Sequence, residues 1–312
     1  MTGCSTSISA KDYNWNEDEK VTKKSAADYA KEDKRIYKPP STGLKPPIGM
    51  NISTDELFVN VIKLDLTGSM HKEPERFLEK MSTLYEESNA ALQGYDSKDM
   101  QKKAQNVPDV LSVSIIGIGD AYVDKYPLQV TNFEKRSGLI KSIKDIFPEG
   151  GGGGQLTESY ELGAYYLLNH CKTPKCKKPL CIIFGDEAPY DRVNCHQVKA
   201  LIGDDLKQDL STTEVLKELK EKFDTYIIQP ELEYSEAEYK EVHEKWRKIL
   251  GPQRVIVIES VARAVDCIIG LNGVYSNNWD AAKDMLERRQ KPDQVKEVIE
   301  ALHPTLKEKS LV

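Results

Sequence analysis

Three short stretches of the chain carry hard oxygen donors of the kind that hold a small cation. Asp65-Leu66-Thr67-Gly68-Ser69 sets a carboxylate and two hydroxyls at alternate positions, directly after the apolar run LFVNVIKL. Alternate residues of an extended segment point to one side, so the three oxygens can face a common point. Asp186 stands in a matching place, after LCIIFG. Between the two in sequence, the glycines Gly150 to Gly154 lead into Gln155 and Thr157, which offer neutral oxygens at the expected start of a helix. One or two carboxylates with neutral oxygens is a donor set suited to Mg²⁺, which keeps near-octahedral geometry and several waters; Mn²⁺ or Ca²⁺ could use the same oxygens. Each piece also has a plain structural use, since either aspartate could cap a helix and the glycines could form only a flexible loop.

These donors meet only if the elements beneath them converge. Six runs read as strands: residues 57–65, 111–119, 127–133, 180–186, 224–229 and 254–260. The four apolar residues before Gly185 mark a strand buried on both faces. Helical spacing of apolar residues occupies 74–92, 134–147, 158–170, 211–223, 235–250 and 261–275. Strands alternating with helices predict an α/β protein with a Rossmann-like, doubly wound, mostly parallel sheet of about six strands, flanked by helices on both faces. In such a sheet, ligands sit outside the carboxyl ends of the strands, where Asp65 and Asp186 are expected.

Residues 1–54 are polar and proline-spotted (Pro39, Pro40, Pro46, Pro47) and are expected to form an extended, disordered arm. Within it, AADYAKEDKRIY could become a short helix on docking. The domain is expected over 55–275, followed by a helical tail, 276–312, with an apolar stripe of Val295, Val298, Ile299 and Leu302 for packing on the domain or on a partner. The chain has 312 residues, 39% hydrophobic and 30% charged, with a formal net charge of -6, a balance that argues against a nucleic-acid scaffold. The basic run from Lys172 to Lys178 is short and reads as a solvated loop. No stretch approaches a membrane span and the first residues hold no apolar run long enough for a secretory h-region, so a cytoplasmic location with reduced cysteines is expected.

The segment DLTGSM closely resembles the DxSxS motif of the metal-ion-dependent adhesion site (MIDAS) of von Willebrand factor A (vWA) domains, in the variant with threonine in the middle. The resemblance spans roughly residues 56–275. It implies that Asp65, Thr67 and Ser69 hold a divalent cation, that Asp186 is the third-loop aspartate, and that an Asp or Glu of a partner protein completes the metal sphere. It also implies a second-loop oxygen. There the chain departs from the family pattern, with Gln155 where threonine or aspartate is usual and Thr157 two residues later. Either could serve. The run GIGDAYVDKYPLQVTNF followed by GGGGGQLTESYE is similar to the intracellular branch of these domains in microbes and their viruses, which implies a non-enzymatic adaptor or assembly role. Asp120 and Asp124 are expected as turn residues with a supporting place behind the metal.

Two other chemistries fit fragments of the chain. Asp65 followed by Thr67-Gly68-Ser69, with Gly185-Asp186 and Asp191 later, is also similar to haloacid dehalogenase-type phosphotransferases. On that reading Asp65 would be a nucleophile, Asp186 would bind Mg²⁺, and Lys177 or Lys178 would steady the phosphoryl charge. His170, Cys171, Cys176, Cys195 and His196 lie close in sequence, but their spacing is looser than that of a structural zinc pair.

Overall fold

Strand β1, Phe58–Asp65, runs through the middle of the sheet. The computed structural model describes residues 37–103, 107–231 and 235–310. The other strands are β2 (Leu111–Ile118), β3 (Leu128–Val130), β4 (Leu180–Phe184), β5 (Asp224–Pro230) and β6 (Val255–Ile258). Their spatial order is β6-β5-β4-β1-β2-β3, all parallel except β3, which returns antiparallel along β2. The predicted strands are all present, and among the described residues three two-stranded pairs lie outside the sheet.

Alternation along each strand divides the core into two layers, as a period of two requires. Ile62 and Leu64 of β1, Ile182 and Phe184 of β4, and Tyr226 and Ile228 of β5 face one layer. Val59 and Val61, Cys181 and Ile183, and Ile227 face the other. The first layer is roofed by α1 (Glu73–Glu79), α2 (Met81–Ala91) and α4 (Arg136–Ser142), with α3 (Ser97–Lys103) between α2 and β2 in sequence. The second is roofed by α5 (Tyr160–His170), α6 (Cys195–Leu201), α7 (Thr212–Lys222) and α8 (Glu236–Leu250). Each fully buried aliphatic side chain contributes about 1.5–3 kcal/mol relative to exposure, and the two layers supply most of the driving force.

Some elements differ from expectation. The helix expected over 74–92 divides at Lys80, whose backbone (φ -92, ψ 3) leaves the helical region. No proline or glycine forces the break. The bend lets Phe77 stack on Phe184 with ring centroids 5.2 Å apart while Leu84 also reaches the core. Residues 37–54, expected to belong to an extended, disordered arm, lie on the domain instead. Tyr37 is buried and its hydroxyl donates to the Ile146 carbonyl at 2.6 Å, and Ile52–Ser53 pairs with Cys171–Lys172. The segment from residue 26 to 36, expected to fold on docking, is outside the described residues.

Beyond α9 (Ala264–Tyr275), helices α10 (Trp279–Arg289) and α11 (Pro292–Glu308) form the predicted helical tail. Val295, Val298 and Leu302 are buried in the same layer as Ile62 and Leu64, and Ile299 packs against it. The stripe is therefore covered by its own chain. Among the described residues, no helix is long and apolar enough to cross a membrane.

Candidate metal centre

Strand order reverses between β1 and β4, so the chain leaves these two neighbours in opposite directions and opens a crevice at their carboxyl ends. Asp65 ends β1 and is fully buried. Its Oδ1 accepts the Thr67 amide at 2.9 Å and the Thr67 hydroxyl at 2.5 Å. The Thr67 hydroxyl lies 3.2 Å from that of Ser69, which donates to Asp186 Oδ1 at 3.1 Å. Four residues predicted from two separate segments thus form one continuous chain of oxygens.

The glycine run lies across this chain. Gly68 N–H donates to the Gly151 carbonyl at 2.6 Å, and Gly150 N–H to the Leu66 carbonyl at 3.0 Å. A Cβ on Gly68 would sit 2.9 Å from the Gly150 oxygen, so the approach requires glycine. Gly150, Gly152 and Gly154 all have positive φ, a conformation that side chains resist. The run is a shaped cover over the oxygen chain.

Gln155 and Thr157 do not join it. Both side chains bond the Tyr190 hydroxyl, which itself donates to Asp120 Oδ1 at 3.1 Å. Thr157 is turned aside because its backbone, with that of Glu158, pairs with Ala188 and Pro189. The two residues expected to offer the second-loop oxygen thus stand apart from the oxygen chain in this structure, and another acid of the same loop lies nearer to it. Glu158 is 2% exposed, its Oε2 has no partner, and Asp65 stands close enough to raise its pKa. Asp120 and Asp124 act as turn residues: Asp124 Oδ2 accepts the Asp120 amide at 2.8 Å, and Asp120 Oδ1 the Tyr122 amide at 2.9 Å.

Sequence reading also missed Tyr160. Its hydroxyl donates to Asp65 Oδ2, and its ring stands edge-on to Trp246 at 5.6 Å. Nothing in spacing identifies such a contact, since Tyr160 and Asp65 are joined only by the fold. Glu158 carried a weak signal, as an acid two residues before an apolar helix beside the glycine run.

The electrostatics set this edge apart. Burial, followed by the Asp186 carboxylate, pushes the Asp65 pKa up to about 7, against the pull of the Thr67 and Tyr160 hydrogen bonds. Glu158 is pushed up to about 11 by burial and then by Asp65, Glu187 and Asp120. Acids gathered in low dielectric without a positive centre raise one another's pKa. A divalent cation would reverse that, and the donors present fit one: two carboxylates joined by two hydroxyls, with the unpartnered Glu158 oxygen beside them. Among the described residues no three His, Cys, Asp or Glu side chains form a metal-holding group by themselves, so a cation held at Asp65 and Asp186 would also need the hydroxyl oxygens. The same observation removes the zinc reading of His170, Cys171, Cys176, Cys195 and His196 for the described residues; His170 instead contacts Asp204 at 2.8 Å.

The phosphotransferase reading loses its lysine. Lys177 and Lys178 precede β4, at the amino end of a strand whose carboxyl end leads to Asp186. Five parallel-strand residues separate the two edges by roughly 16 Å.

No protein-family model matches the chain, and no curated protein matches it. Among solved structures, it is similar to the pilus adhesin SpaC from Lactobacillus rhamnosus GG in its open conformation, with a TM-score of 0.44 and 14% identity, over 76% of this chain and 31% of the adhesin. It is also similar to proximal thread matrix protein 1 from the mussel byssus, solved with a zinc-occupied MIDAS motif, with a TM-score of 0.42 and 12% identity, over 71% of this chain and 48% of that protein. The chain spans about a third of the adhesin and about half of the thread protein. Likeness at this level does not carry their functions to this chain.

Proposed function

We propose that this chain is a non-enzymatic, metal-dependent binding domain of the vWA type, which holds a divalent cation, Mg²⁺ in the first instance, at Asp65, Thr67, Ser69 and Asp186. The observation that carries this reading is the unbroken oxygen chain from Asp65 through Thr67 and Ser69 to Asp186 at the switch point of the sheet. When bound, the cation supplies a positive centre with a position open to an outside oxygen. Asp65 is oriented for that role and poorly placed as a nucleophile, because both of its oxygens accept hydrogen bonds from buried donors. Thr67 and Ser69 can turn their hydroxyl lone pairs outward at little cost, whereas Gln155 and Thr157 would first have to leave Tyr190.

The outside oxygen is assigned to an Asp or Glu side chain of a partner protein. Ser69 is half-buried and the glycine cover is exposed from Gly152 to Gln155, so this rim is where a partner would reach the centre. Among the described residues five cysteines are free and four of them are buried. Isothermal titration with Mg²⁺ and Mn²⁺, with and without Asp65→Ala, tests the reading: binding to the native chain and none to the variant is expected. Equal binding by both would refute the site. Retention of the chain on an immobilised Asp-containing peptide, reversed by a chelator, is the expected result for the partner chemistry.

A further inference from the structure

We propose that Tyr160 is a specificity-determining residue that restricts Asp65 to one coordinating oxygen and so makes the centre select Mg²⁺ and Mn²⁺ over Ca²⁺. The inference rests on the metal-binding reading above and concerns which ion that centre accepts.

The geometry of Asp65 is the basis. Its Oδ1 is held by two donors of Thr67, one of which, the hydroxyl, can rotate away and offer a lone pair to an ion instead. Its Oδ2 is held by the Tyr160 phenol, which has no such freedom. Tyr160 is fully buried, and its ring is fixed edge-on against Trp246, whose indole N–H donates to the Glu187 carbonyl at 2.8 Å. Gly185 completes the fit: a Cβ there would overlap the Tyr160 hydroxyl and lie 2.9 Å from Asp65 Oδ2. The contact between phenol and carboxylate is thus built in from three elements, β1, α5 and the loop after β4.

Ca²⁺ accepts six to eight oxygens and commonly takes a carboxylate through both of its oxygens, whereas Mg²⁺ keeps six in octahedral array and takes one oxygen from each carboxylate. A carboxylate pinned at Oδ2 from inside the protein can serve the second kind of ion but not chelate the first. Tyr160→Phe keeps the ring against Trp246 and removes only the donor, which frees Oδ2 to turn outward.

The test follows free Mn²⁺ by electron paramagnetic resonance as it titrates the full chain, then displaces it with Ca²⁺ or Mg²⁺. In Tyr160→Phe, Ca²⁺ is expected to compete about tenfold better than in the native chain, while Mn²⁺ affinity itself moves less than about threefold. Unchanged Trp emission of the metal-free variant reports that the ring packing around Trp246 is kept. An identical Ca²⁺-to-Mn²⁺ ratio in the two proteins would overturn the proposal and leave Tyr160 a packing residue. Absence of Mn²⁺ binding by the native chain would instead refute the metal centre, and this proposal with it.

Discussion

Buried acids occur in two regions of this protein, and their surroundings differ. Where α2, α9 and α10 meet, Arg289 is bidentate to Glu87 at 2.9 and 2.8 Å and donates to Asp266 at 2.7 Å, while Arg263 donates to Asp266 at 3.1 Å. Gln290 supplies a further donor to Asp266 at 3.0 Å. This clamp fastens the C-terminal helices to the domain, and its acids face cations of the same chain. At the carboxyl edge of β1 and β4, the charges facing Asp65 and Glu158 are other carboxylates. A desolvated acid costs several kcal/mol unless something positive or a proton meets it. The clamp meets that cost internally, so it is a structural device. The edge leaves its acids to be met by protons or by an ion from outside, which is what the proposed metal centre requires.

The comparison breaks most visibly if the clamp is opened. Arg289→Ala leaves Glu87 and Asp266 facing each other in the core with one guanidinium fewer, and removal of one partner from a buried network typically costs about 3–5 kcal/mol. Chemical denaturation should show a loss of that size, insensitive to added divalent ions. A loss under about 1 kcal/mol would mean that the clamp is exposed to water in solution and behaves as a surface pair.

At the edge, the corresponding substitution should abolish the response to added metal. Ligand binding to the folded state alone stabilises it by RT ln(1 + [L]/Kd), about 2.7 kcal/mol at a hundredfold excess over Kd. The native chain is expected to gain about that much when Mn²⁺ is added at that excess, and Asp65→Asn to gain nothing. Metal-free Glu158→Gln should be at least as stable as the native chain, because the amide removes an acid from among acids while keeping its volume. Substantial destabilisation of that variant would place an unseen cation beside Glu158 and erase the contrast between the two regions.

Much of this was legible in the sequence because the relevant signals are local. Short apolar runs, alternating in some strands and continuous in β4 and β6, mark β1, β2, β4, β5 and β6, and Asp65, Thr67, Ser69 and Asp186 fall at strand ends that parallel topology brings together. What local pattern cannot show is which way a side chain turns once the backbone pairs. Thr157 is a suitable oxygen donor by type, but the pairing of Thr157 and Glu158 with Ala188 and Pro189 sends it to Tyr190. Tyr160 and Arg289 act across 95 and 202 residues of sequence, distances over which no periodicity carries information. Residues 37–54 were misjudged from composition: Tyr37 and Ile52 are too few to form a core but enough to anchor a strap on an existing one.

The smallest effect, and the one that isolates the edge most cleanly, lies in pH. Asp65 has a folded pKa of about 7 against an ordinary value of 3.8. Between those limits the folded chain retains a proton that the unfolded chain has released, so ν_U − ν_N is negative and stability falls as pH rises through the window. His243 works the other way. Burial, then Arg247, lowers its pKa from 6.5 to about 4, so over that range the unfolded chain holds the extra proton and stability rises with pH. His243 opposes Asp65, while Glu158, pushed up to about 11, and Glu161, pushed up to about 8, act in the same direction as Asp65, so a plain pH profile isolates none of them. Comparison with Asp65→Asn removes the opposition, since His243 is common to both proteins. Metal-free Asp65→Asn should therefore gain on the native chain as pH rises from 4 towards 7. The ceiling is about 1.4 kcal/mol per pH unit for one whole proton, and sharing of that proton with Asp186 and Glu158 keeps the slope below it. Saturating Mn²⁺ should hold Asp65 ionised at neutral pH and flatten the native profile near the upper end of the window. If the difference between the two proteins stayed constant from pH 4 to 7 without metal, Asp65 would be titrating as an ordinary solvated carboxylate, and the edge would differ from the clamp in geometry alone.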